Sequence, residues 1–193
     1  MILVIDTSSA LSAIALLDES GAVVHEELHE SGRTFDLARR YRVLEPSKPI
    51  TRVAVATGPG SFTGLRVGVA FGLGLAIGLR LPIVPLPTLA IQAARSETPV
   101  TAVAEAGRGR VYHLKPDGQV GLAEPAEMPH DLRLVGWLRE STRQAALAAG
   151  LRLMPDSELF SFGEAAARIL ESAGEVPYGS LKLQYMQSYT AGV

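Results

Sequence analysis

Three short apolar runs open the chain. Residues 2–5 are aliphatic and stop at Asp6-Thr7-Ser8-Ser9, residues 11–17 stop at Asp18-Glu19-Ser20-Gly21, and residues 22–28 follow at once. Apolar runs of this length between turn clusters predict three antiparallel strands. Residues 32–44 have helical composition, with Phe35, Ala38 and Tyr41 three apart, and Pro46 and Pro49 end the helix. Residues 52–57 alternate as a strand, Gly58-Pro59-Gly60-Ser61 breaks it, and the apolar stretch up to Leu79 predicts a long helix. Ile83-Val84-Pro85 predicts a short strand, residues 88–95 a helix, and residues 96–99 a linker.

The second half repeats this theme more weakly. Residues 100–104 and 111–114 predict strands around Gly107-Arg108-Gly109, with a Lys115-Pro116-Asp117-Gly118 turn behind them. Residues 132–135 predict another short strand, ahead of a helix running through Trp137 and Leu138 towards Ala149. The best-defined helix covers residues 162–173, with Ser161 and Glu164 as a capping box and Gly174 as the stop. The pattern predicts an α/β chain with mixed sheets flanked by helices, in two units: residues 1–98 and a smaller one, 99–193.

Composition narrows the classes. The chain has 193 residues, 47% hydrophobic and 20% charged, with a net charge of −2, so each half can bury a core and disorder is excluded. It has no cysteine and four histidines, which removes disulfides, thiolate zinc sites and cysteine nucleophiles and fits a cytoplasmic location. The uncharged stretches 67–79 and 81–94 are shorter than the roughly 20 apolar residues of a membrane span, and Met1-Ile2-Leu3-Val4-Ile5-Asp6 lacks a basic leader, so no membrane association is expected. Charge is segregated: residues 1–30 carry −6, residues 31–96 carry +7 and residues 97–193 carry −3. Such asymmetry bears on what partners meet, RNA or an acidic protein among them.

Two motifs invite chemistry. His25-Glu26-Glu27-Leu28-His29 matches the zinc-peptidase pattern, which works only on a helix, where residues four apart share one metal. Its β-branched lead-in and the meander before it predict a strand, which holds the two histidines roughly 13 Å apart. Thr57-Gly58-Pro59-Gly60-Ser61-Phe62-Thr63-Gly64-Leu65-Arg66 is a glycine-rich turn opening a helix, a place that can hold phosphate. It lacks the P-loop lysine, has Thr63 where a dinucleotide fingerprint has its third glycine, and no acid lies between Glu45 and Glu97. Gly64, Gly68 and Gly72 share one helix face, where small residues let a neighbouring helix or sheet approach closely. No G-x-S-x-G is present. Asp6, ending the first strand, is the one carboxylate in a catalytic-looking place, although an aspartate there also caps turns.

Together, Ile5-Asp6-Thr7, the Gly58–Gly68 segment and Pro85-Leu86-Pro87-Thr88-Leu89 resemble the TsaB/YeaZ family of tRNA threonylcarbamoyladenosine biosynthesis proteins, historically labelled glycoprotease-like. The resemblance covers residues 1–95 and loosens beyond them. It implies two actin-like, ribonuclease-H-like subdomains of the sugar kinase, heat-shock chaperone and actin (ASKHA) superfamily, the second one shortened. It further implies a noncatalytic subunit that binds a TsaD-like transferase, meets a TsaE-like ATPase through that complex, pairs as a homodimer in isolation, and touches tRNA indirectly or weakly. No metal is implied. No ATP or ADP binding by this chain alone is expected, because Ser8 stands where the superfamily's first phosphate loop has glycine. The implied partner interface comprises Phe35, Ala38, Tyr41, Gly64, Val67, Gly68, Phe71, Gly72 and Leu75, and the family-motif loop Asp6, Thr7, Gly58, Pro59, Gly60, Ser61, Phe62, Thr63, Gly64 and Arg66. Two alternatives remain open: an autonomous ATP-dependent kinase-like enzyme using Asp6 and Thr7, and a zinc peptidase using His25 and His29. The family's D-A-R-x-x-E-V-Y segment stands here as residues 105–112, and its Y-L-R as Tyr185-Met186-Gln187.

Overall fold

A computed structural model describes residues 1–31, 36–44, 46 and 48–184. The strand at its centre is β1 (Ile2–Asp6), buried along its whole length, which is why it reads as an unbroken apolar run rather than an alternating one. β2 (Leu11–Leu17) returns antiparallel to β1, and β3 (Val23–Glu30) pairs antiparallel with β2 and forms the sheet edge. On the other side β4 (Arg52–Ala56) and β5 (Ile83–Leu86) run parallel to β1, giving the order β3-β2-β1-β4-β5. A second sheet, built from β6 (Thr101–Gly107), β7 (Arg110–Leu114), β8 (Val120–Ala123) and β9 (Leu134–Val135), has the order β8-β7-β6-β9.

The two sheets share one plan. In each, an antiparallel meander of three strands is followed by a fourth that pairs parallel with the first. A helix then follows the fourth strand: α2 (Phe62–Leu79) after β4, and α4 (Glu140–Ala148) after β9. Before the fourth strand the first unit has α1 (Leu37–Val43), while the second has only a single 3-10 turn at Pro125–Glu127; in place of β5 it has a single parallel bridge from Leu153 to Leu134 of β9. This is the expected mixed α/β architecture in two related units, the second shortened.

α1 and α2 cover one face of the first sheet over Leu3, Ile5, Ile14, Leu16, Val53 and Val55. The opposite face, with Val4, Ala15 and Leu17, is covered by α5 (Phe162–Leu170). α3 (Thr88–Ala94) lies between the units, giving Ile91 to that core and Leu89 to the core of the second sheet.

The structure corrects the expected division at residue 98. α5 packs on β2, β3 and β5, and Val176 bridges to Ile83, so residues 162–184 rejoin the first unit instead of completing the second. The helix expected through Trp137 and Leu138 begins only at Glu140. Trp137 precedes it in extended chain and packs against Phe162, ring centroids 5.8 Å apart. β8 was not expected. Its Gly121 weakens the strand signal, and it leaves room for the His113 ring, which a β-carbon there would have to displace. The helix expected over 32–44 is described as Leu37–Val43. Phe35, and Tyr185-Met186-Gln187 near the C-terminus, lie outside the described residues.

Candidate functional site

The loop after β1 and the loop after β4 meet beneath the start of α2. Ser8 donates from its backbone N–H (2.7 Å) and its hydroxyl (2.6 Å) to Asp6 Oδ1. The Ser8 and Thr88 hydroxyls lie 2.9 Å apart, and Thr88 Oγ1 accepts the Gly58 N–H at 3.1 Å. Because Ser8 already donates to Asp6, the Thr88 hydroxyl donates to Ser8, and the chain of donors runs from Gly58 to the carboxylate. Thr7 donates to Gly64 O (2.6 Å), and the Ser61 N–H donates to Ser8 O (2.7 Å).

Asp6 and Ser8 have no exposed surface and Thr7 almost none. Burial pushes the Asp6 carboxyl above its ordinary value, against the lowering effect of the Ser8 bonds, and Oδ2 has no hydrogen-bond partner. The side chains that a kinase-like reading needs are thus enclosed: the Asp6 carboxyl is sealed from solvent and the Thr7 hydroxyl is committed to Gly64. Of the two roles open to Asp6, the geometry is that of the turn cap.

The glycines of the motif make this junction possible. Gly58 has φ +104° and lies against the Gln184 carbonyl, and Gly60 and Gly64 press on the backbone of Ser8 and Thr7. Ser61 caps α2 by accepting the Gly64 N–H at 3.2 Å. Further along, β-carbons on Gly68 and Gly72 would overlap Thr7 Oγ1 and Val55 Cγ1. Gly64, Gly68 and Gly72 therefore serve the approach of α2 to its own sheet, which corrects their expected placement on the partner interface.

The other side of α2 faces outward. Phe62, Val67 and Ile77 are between 47% and 51% exposed. Phe62, Arg66, Val67, Ala70, Gly74 and Ile77 fall on one side at helical spacing, opposite the buried Leu65, Gly68, Val69, Gly72 and Ala76. By length and composition α2 could cross a membrane, but its inner side is packed on β1 and β4. α1 continues the outward face. Tyr41 meets Phe71 edge-on at 6.2 Å, Ala38 is exposed, and Val43 is the most exposed large apolar residue of the two helices. Leu75 is half-buried in the core beneath. Arg66 lies over the Phe62 ring, 3.8 Å from its centroid.

Of the expected interface residues, the structure thus brings Ala38, Tyr41, Val67 and Phe71 to this face. Motif residues Phe62, Thr63 and Arg66 are there too. Val43, Ala70 and Ile77 were missed, although a 3.6-residue count from Phe62 finds the last two.

β3 carries the two histidines as a strand. His25, Glu27 and His29 alternate onto the face that bears α1, and Glu27 accepts from both imidazoles (3.0 and 3.3 Å) and from Arg40 of α1. Burial pushes the Glu27 carboxyl up, but the His25, Arg40 and His29 bonds together outweigh it, and the group lies below its ordinary value. Among the described residues no group of three or more His, Cys, Asp or Glu is placed to hold a metal ion.

Two units of one topology, the first enclosing a buried loop junction and carrying an exposed apolar helix pair, define the class: a two-subdomain actin-like α/β protein. The family model described as TsaD, tRNA N6-adenosine threonylcarbamoyltransferase, matches residues 44–124. The tRNA threonylcarbamoyladenosine biosynthesis protein TsaB of Bacillus subtilis is 30% identical over 146 residues, 71% of this chain and 64% of that protein. Its Escherichia coli counterpart is 33% identical over 121 residues, 58% of this chain and 52% of that protein. The matches therefore span less than two thirds of these relatives. A solved structure, YeaZ from Pseudomonas aeruginosa, superposes with a TM-score of 0.70 at 21% identity, covering 96% of this chain and 99% of that one, and shows the same fold. The curated relatives support assignment of the chain to the TsaB/YeaZ family, and the solved structure shows the same fold.

Proposed function

We propose that the protein takes part in forming N6-threonylcarbamoyladenosine in tRNA as a noncatalytic subunit, docking a TsaD-like transferase through the outward face of α1 and α2. The observation that carries this reading is the outer side of α2, where Phe62, Val67 and Ile77 stand about half exposed above a core that does not need them. Such a contiguous apolar strip is ordinarily a protein contact. The assignment to the family supplies the pathway, and the match of a TsaD family model to residues 44–124 supports a shared ancestry with the partner. The sealing of Asp6 and Thr7 favours a binding role over the kinase-like alternative, and the strand position of His25 and His29 disfavours the peptidase. The TsaE-like ATPase would join through the transferase, tRNA contact would be indirect, and the work would take place in the cytoplasm. The test is complementation. Cells lacking the gene should regain the modified nucleoside, measured by mass spectrometry of digested tRNA, with the wild-type chain and not with Val67→Glu. Full restoration by Val67→Glu at normal protein levels would sink the reading.

A further inference from the structure

After α5 the chain returns to the first sheet and runs beside α2. The Val176 N–H donates to the Ile83 carbonyl (3.0 Å) at the outer edge of β5. The Tyr178 hydroxyl then reaches the far end of α2, donating to Leu81 O (2.8 Å) with Ala76 O at 3.3 Å. Leu181 and Leu183 lay half-buried side chains on the core beneath the helix. The Gln184 N–H closes the run by donating to Thr57 O (2.8 Å), just before the loop that opens α2. Residues 176–184 therefore pass both ends of α2, in the direction opposite to it.

Those two ends are where the helix needs support. Its last turn closes through Arg80 N–H to Ile77 O (3.2 Å) and Leu81 N–H to Ala76 O (2.8 Å), which puts Arg80 at φ +57°, a conformation that suits glycine better. Tyr178 ties down the next residue, so the strained turn is held from outside the helix. At the other end a β-carbon on residue 58 would come within 2.8 Å of the Gln184 carbonyl, so Gly58 leaves the space in which this segment lies. The two flanks of α2 differ. On the β3 side stands α1, joined by Tyr41 to Phe71 and by Arg40 to Glu27. On the β5 side stands a run in which no residue is fully buried, a segment that can lift without unmaking the core.

We propose that residues 176–184 form a releasable strap that seats α2, and that Tyr178 is the positioning residue that fastens it. With the strap down, the last turn of α2 is fixed and the outer side of the helix keeps one shape. With the strap lifted, that turn frays and the apolar strip loses its shape, so the strap sets the affinity of whatever binds there. This consequence rests on the reading of the face given above; the strap itself does not.

The experiment follows amide exchange of the full-length chain by mass spectrometry and, in parallel, its affinity for the TsaD-like transferase. Tyr178→Phe keeps the ring and removes the hydroxyl, and should speed exchange at residues 76–81 about fivefold. Gln184→Pro removes the N–H at the opposite end, and should speed exchange at residues 76–81 as well as near residue 57, because a strap lifts as one piece. Arg80→Gly relieves the backbone and should return exchange in Tyr178→Phe to the wild-type rate. Both strap variants should weaken transferase binding about threefold or more, with Arg80→Gly recovering it in Tyr178→Phe. If Tyr178→Phe leaves residues 76–81 unchanged, or Gln184→Pro acts only near residue 57, the strap proposal falls. If exchange responds but both variants bind like wild type while Val67→Glu abolishes binding, the positioning role of Tyr178 falls. If Val67→Glu binds like wild type, the reading of the face falls and the exchange rates alone decide the strap.

Discussion

Asp6 is a carboxyl held where water cannot reach it, so its effect on stability has a definite sign. The folded state binds this proton more tightly than the unfolded state, and stability therefore falls as pH rises from the ordinary carboxylate range through the raised folded value. Asp6→Asn keeps an oxygen for the Ser8 donors and removes the charge. It should raise the urea midpoint at pH 7 and flatten the pH dependence in that window; a lowered midpoint would mean the ionised carboxylate is a net stabiliser. The glycines of α2 give a paired prediction. Gly72→Val forces side-chain atoms into Val55 and should cost roughly 3 kcal/mol or prevent folding. A β-carbon on Gly74 would meet nothing within 4 Å, so Gly74→Ala should stabilise by about 1 kcal/mol, read from the same denaturation curves. Sequence spacing placed Gly64, Gly68 and Gly72 on one face correctly. It could not say which surface that face meets, because a glycine stripe permits close approach to a sheet below or a helix outside equally well.

At the scale of elements, strands were easier to foresee than helix ends. β1, β2 and β3 are bounded by turn clusters strong enough to read directly, and the strand position of His25 and His29 followed from them. What could not be read was the convergence of His25, Glu27 and His29 on Arg40, because α1 reaches across to β3 only in three dimensions. Glu27 lies below its ordinary carboxyl value, so its contribution is present at neutral pH and lost as pH falls through the folded value. Glu27→Gln should accordingly loosen α1, seen as faster amide exchange at residues 37–43, with the difference from wild type vanishing in acid. The helix before Ala149 was placed too early because Trp137 and Leu138 look helical by composition. Trp137 is in fact drawn out of a helix by its contact with Phe162, a residue 25 positions away. α2 is apolar on both sides, so hydrophobic periodicity hardly separates its inner from its outer face.

At the scale of the whole molecule, the chain crosses from one unit to the other and comes back. The return is locked by Arg95, which is buried: it donates to the Phe160 carbonyl (3.2 Å) and Gln92 Oε1 (3.4 Å), pairs with Asp156 (3.1 Å) and lies 5.2 Å from the Trp137 ring. Arg95→Ala should cost about 2–3 kcal/mol in urea denaturation, because it strips hydrogen bonds from the buried Gln92 and the half-buried Phe160 carbonyl, while the exposed Asp156 returns to water. No local pattern announces this lock, since Phe160 and Asp156 lie more than 60 residues along the chain. The duplicated strand order was likewise hidden, because β8 and β9 are only four and two residues long. These features serve one outcome, a rigid support that presents α1 and α2 outward. The most direct test of that account is to mix the wild-type chain and Val67→Glu separately with the TsaD-like transferase and weigh the products by light scattering after gel filtration. The account predicts a one-to-one complex with wild type and free components with Val67→Glu, both chains melting at the same temperature. Equal complex formation by the two would contradict it.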